Sequence, residues 1–101
     1  MTKTVMISQP MQGKSNAQIK LERADAVVFL EQHLGYEVLD TVLDISEPPE
    51  SNPGVFFLGE SLKLMSQCDV VYFLDGWEQA RGCKIEHDVA AAYGLEVLHE
   101  S

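Results

Sequence analysis

The run Asp69–Leu74, DVVYFL, constrains the fold more than any other stretch of the chain. Successive side chains of a strand point to opposite faces, so apolar residues at every position from Val70 to Leu74 demand cover on both faces. The run is far shorter than the roughly 20 apolar residues that span a bilayer. It therefore reads as a central strand of a parallel sheet packed between helices. Three further β-prone runs supply neighbours: Thr4–Ser8 (TVMIS), Tyr36–Thr41 (YEVLDT) and Leu95–His99. Between them the apolar spacing turns helical. Ile19, Ala26, Val27, Leu30 and Leu34 follow a cap at Ser15 or Asn16 and stop at Gly35; Val55, Leu58, Leu62 and Met65 follow Pro53, in a helix reaching Gln67. Ile85, Val89 and Ala92 form the stripe of a helix over Gln79–Tyr93, ended by Gly94. Strand–helix alternation with right-handed crossovers predicts an α/β, three-layer α/β/α fold with a four-stranded, mainly parallel sheet, flavodoxin-like or Rossmann-like.

A length of 101 residues predicts a single domain, 1–101, because a self-sufficient core needs roughly 50 residues or more. The start, MTKTVMISQPM, lacks the longer apolar region of a secretory signal, and no run is long enough for a membrane helix, so a cytoplasmic protein without a membrane partner is expected. Cys68 and Cys83 have no C-x-x-C spacing and are expected as thiols. His33 and His99 show no ligand spacing, so neither metal nor cofactor is expected. A net charge of −9 repels polyanions and argues against nucleic-acid polymers. A single small anion is different, because backbone N–H groups and a nearby cation act locally. Lys14, Arg81 and Lys84 fall in or beside the two glycine-containing loops.

Ligands of open parallel sheets bind beyond the carboxyl ends of the strands. On that edge fall Gln9–Gly13, Asp40–Asp44 and Asp75–Gly82, whereas Asp69 opens a strand at the opposite edge and reads as structural. Gly82 and Glu86 are spaced i, i+4 and share one helix face, so the missing Cβ leaves room for a ligand to reach the carboxylate. Taken alone this spacing is equally that of an ordinary helix glutamate. Cys83 reads as packing, and His87, about 100° around the helix from Glu86, as solvated surface. QGKS lacks the full spacing of a phosphate-binding P-loop. Arg23 lies nearly on the face of Ile19 and must snorkel or find an acidic partner. Phe56 and Phe57 are adjacent and cannot share one core face, which leaves a ring to cover a ligand or a partner subunit.

With MISQPMQGKSN near the start and CDVVYFLDGWEQARGCKIEHDVAAAYGLEV near the end, the chain resembles a small domain family of phages and bacteria related to nucleoside 2-deoxyribosyltransferases. The related pattern is an I-S-G-P-M loop after the first strand and a G-W-E-x-S-x-G-A-x-x-E helix start, here Ile7–Met11 and Gly76–Glu86. The resemblance implies that Glu86 attacks the anomeric carbon of a nucleoside or nucleotide; Asp75, from its position on the carboxyl edge, is expected to help protonate the departing base. It further implies substrate contacts from Ser8, Gln9, Pro10, Met11, Gly13 and Lys14, and from Gly76, Trp77, Ala80, Gly82 and Cys83. The chain departs from related sequences where Gln9 replaces glycine, where Ala80 replaces a small hydroxyl residue, and where Met6 stands near a tyrosine of related enzymes. The expected function is an N-glycosidase or deoxyribosyltransferase-like reaction in a homo-oligomer, most simply a dimer. A noncatalytic nucleotide-binding module and a protein-interaction role through Phe56 and Phe57 stand as alternatives.

Overall fold

The computed structural model describes residues 2–39 and 52–100. Strand β1 (Thr4–Ser8) leads to helix α1 (Asn16–Val28), which runs on as a π-helical turn, Phe29–His33, before β2 (Glu37–Val38). Helix α2 (Pro53–Met65), β3 (Val70–Phe73), a 3-10 turn (Trp77–Gln79), α3 (Arg81–Ala92) and β4 (Glu96–His99) complete the order. The four strands are parallel in the order β2-β1-β3-β4, the flavodoxin-like arrangement. The second strand is shorter than its apolar pattern suggested. Its expected end at Thr41, the segment Asp40–Asp44 and most of the acidic loop that follows lie outside the described residues.

Strand parity sorts the core into two halves. Val5 and Ile7 of β1, with Val70, Tyr72 and Leu74, face α1 and meet Ala26 and Leu30. Met6, Val71 and Phe73 point the other way and meet Met65, Cys68 and Ala90. The DVVYFL run is thus covered on both faces, as its composition requires, and each large aliphatic side chain so enclosed contributes about 1.5–3 kcal/mol. The same parity puts Ser8, at the carboxyl end of β1, on the side of α2 and α3. Asp69 at the opposite edge is structural: its Oδ2 accepts from the Thr4 N–H at 3.0 Å and from Thr4 Oγ1 at 3.2 Å. Among the described residues no helix is long and apolar enough to cross a membrane.

The helix starts differ. Ser15 Oγ accepts from the Gln18 N–H at 3.1 Å and caps α1; Asn52 Oδ1 accepts from the Val55 N–H at 3.2 Å and caps α2, with Pro53 opening the helix. Ala80 stands at the cap of α3, and no side chain caps that helix.

Candidate functional site

The carboxyl edge between β1 and β3 is where the strand order reverses, and Glu86 sits there. Helix α3 carries it inward from the second turn, and β1 delivers Ser8 beneath it. Ser8 Oγ donates to Glu86 Oε1 at 2.9 Å. Glu86 is only 7% exposed and Ser8 1% exposed. Burial pushes the Glu86 carboxyl above the ordinary glutamate value, and the Ser8 hydrogen bond offsets part of that rise by favouring the charged form. Cys83, one turn earlier, is also buried; desolvation raises its thiol, a Ser8 hydrogen bond works against the rise, and it stays a neutral packing group near neutral pH.

Glu86 lies in the wall of a cavity of about 1330 Å³ between α2, the loop after β1 and the start of α3. Gln9, Pro10 and Met11 form one side, Val55, Phe57 and Leu58 of α2 another, and Ala80 to Glu86 the third. A Cβ built on Gly82 meets nothing within 4 Å, so the glycine leaves open space one turn before the carboxylate, as the spacing suggested. Val55 at 66% and Phe57 at 43% are exposed, giving the mouth an apolar side opposite the exposed cations Arg81 and Lys84. Phe57 meets Phe56 edge-on at 5.1 Å and turns to the cavity.

The first loop is occupied by its own contacts. Gln9 is 8% exposed; its Nε2 donates to the Ile19 carbonyl at 2.9 Å and its Oε1 accepts from Arg23 Nη1 at 3.5 Å. The residue that replaces the pattern's glycine therefore ties β1 to α1, and Arg23 finds a polar partner rather than only snorkelling. Lys14 Nζ pairs with Glu22 Oε1 at 2.8 Å, which draws the Glu22 carboxyl below its ordinary value. Gly13 and Lys14 lie outside the cavity wall.

Four residues stand elsewhere than the sequence suggested. Asp75 is exposed and outside the wall; the chain leaves β3 beside the end of β4, where the Asp75 N–H donates to Glu100 Oε1 at 2.9 Å. That position gives no geometric support to a proton-donor role. Gly76, at φ +91°, turns the chain so that a Cβ there would lie 3.7 Å from Pro10 Cγ: it shapes the loop rather than lining the cavity. Trp77 packs away from Glu86, its ring stacked on His87 at 4.1 Å and 10°. His87 is accordingly half-buried rather than solvated, and its Nε2 lies 3.2 Å from His99 Nε2, with Phe73 completing the ring cluster. The two histidines are 12 residues apart on different elements, a proximity that only the α3–β4 turn creates. Among the described residues no group of three or more His, Cys, Asp or Glu side chains is placed to hold a metal ion.

The adjacent aromatic pair pointed to a ring covering a ligand, and Phe57 does face the cavity; that Val55 and Leu58 line it too was missed, because their helical spacing reads as core. The chain belongs to the family described as Domain of unknown function (DUF4406), whose model matches residues 3–99. No curated protein matches the chain.

Proposed function

We propose that the protein cleaves the N-glycosidic bond of a nucleoside or nucleotide, with Glu86 as nucleophile. The observation that supports this reading is a carboxylate held by Ser8 in the wall of a large cavity, with open space at Gly82 one turn away. In the first step a Glu86 oxygen bonds to the anomeric carbon while the carbon–nitrogen bond breaks; its electron pair leaves with the base, which takes up a proton. In the second, water attacks the same carbon, releases the sugar, loses a proton and returns the carboxylate. A second base in place of water would give transfer. The apolar side formed by Val55, Phe57 and Leu58 suits a planar base, and the first turn of α3 with Arg81 and Lys84 suits an anionic or strongly polar end.

A binding-module reading keeps the cavity and drops the chemistry; the position of Asp75 outside the wall favours it, because a base leaves more easily when protonated. Incubation with a panel of nucleosides and monophosphates, followed by chromatography for free base, separates the two. The enzyme reading expects base release that Glu86→Gln abolishes. Thermal stabilisation by a panel member without any release supports the binding module.

A further inference from the structure

Ser8 was expected among the groups that contact substrate, yet its side chain is enclosed and its hydroxyl is directed at Glu86. Two acids lie beside that hydroxyl, Glu86 and Cys83. Burial keeps the Cys83 thiol protonated near neutral pH, so the Glu86 carboxyl oxygen is the stronger acceptor, and it accepts the Ser8 hydrogen bond. The backbone under Ser8 is fixed as well, pairing in register with Phe73 and accepting from the Leu74 N–H at 3.1 Å. The hydrogen bond reaches Oε1 alone. Among the described residues no fully enclosed side-chain oxygen lacks a partner, and no described group bonds Glu86 Oε2, so Oε2 is the oxygen that opens to the cavity.

We infer that Ser8 is a positioning residue: by holding Oε1 it fixes the carboxylate plane and presents Oε2 as the attacking oxygen. Its role in turnover rests on the nucleophile reading of Glu86; its grip on the carboxylate does not. A hydroxyl donor that favours the charged form also lowers the pH at which Glu86 ionises, whatever the cavity binds.

Two measurements on ligand-free and turning-over protein test the inference. Carbon-13 NMR of the Glu86 carboxyl, assigned with Glu86→Gln, follows ionisation in wild type, Ser8→Ala and Ser8→Thr. Ser8→Ala is expected to ionise at higher pH than wild type and Ser8→Thr close to it; Ser8→Cys, a weaker donor of similar size, falls between and substitutes if Ser8→Ala does not fold. In base release, Ser8→Ala is expected to lower kcat by roughly tenfold to a hundredfold, the scale of one hydrogen bond to a charged group, with little change in KM. The rising limb of its pH–rate profile moves to higher pH, and Ser8→Thr restores both. If wild type releases no base, the glycosidase reading fails while the NMR titration still decides whether Ser8 governs Glu86. Unchanged or lower-pH ionisation of Glu86 in Ser8→Ala overturns the inference, as does a loss of activity that falls on KM alone.

Discussion

Two strand-to-helix junctions meet at the carboxyl edge of the sheet, and they are built to opposite ends. The β1–α1 junction is closed by its own side chains: Ser15 caps the helix, Gln9 bonds the Ile19 carbonyl, and Lys14 pairs with Glu22. The β3–α3 junction has Ala80 where a cap would stand, and a buried carboxyl that desolvation pushes above its ordinary value and the Ser8 hydrogen bond only partly restores. Both are glycine-containing loops before a helix, and sequence alone ranks them together. Glycine content does not separate the two junctions; they differ in how far side chains satisfy the polar groups at the helix start.

The sharpest way to break this contrast is to fill the open junction. Gly82→Leu is expected to fold, since leucine favours a helix over glycine and meets open space, yet to weaken nucleotide binding by about a hundredfold or more as measured by calorimetry. Retained affinity would mean that the ligand sits elsewhere. The next effect is on stability. The folded Glu86 pKa lies above the unfolded value near 4.5, so its contribution is fully present below that value and is lost as pH rises through the folded one. Glu86→Gln should therefore melt a few degrees above wild type at pH 8, with the gap closing on acidification toward pH 4. A gap that widens on acidification contradicts the assigned burial.

At the closed junction, Ser15→Ala removes a cap and should cost about 1 kcal/mol, roughly 4–8 °C in Tm for a domain of this size, while nucleotide affinity stays within a factor of two or so. The smallest effect belongs to Lys14→Ala. Its partly exposed pair with Glu22 is worth about 0–1 kcal/mol, and its loss should leave both affinity and the salt dependence of binding unchanged. A large fall in affinity for monophosphates but not nucleosides would return Lys14 to the site.

Much of the architecture was legible because parity and period are local. DVVYFL announced a strand covered on both faces, and the cap at Ser15 and the helix-opening Pro53 marked two helix starts within a residue. The π-helical turn at Phe29–His33 was not legible, since the apolar pattern through Leu30 and Leu34 fits an ordinary helix as well. Glu86 was singled out from its spacing to Gly82 and from the motif around it. Its partner was not: Ser8 lies 78 residues away, and only the parallel register that sets β1 beside β3, under α3, brings the two together. Asp75 and Trp77 were drawn toward the site by adjacency to the motif, but the left-handed turn at Gly76 and the stack on His87 direct them elsewhere.

If Glu86 is the nucleophile it bonds to the sugar during turnover, and that bond can be trapped. Wild type and Glu86→Gln are mixed with a nucleoside or monophosphate that wild type cleaves, quenched in acid within the first turnover, digested and mapped by mass spectrometry. Wild type is expected to yield a peptide spanning Glu86 that carries the mass of one sugar or sugar phosphate, fragmenting to place it on Glu86, and Glu86→Gln no such peptide. An adduct mapped to another residue, or base release by Glu86→Gln at the wild-type rate, would contradict Glu86 as the nucleophile.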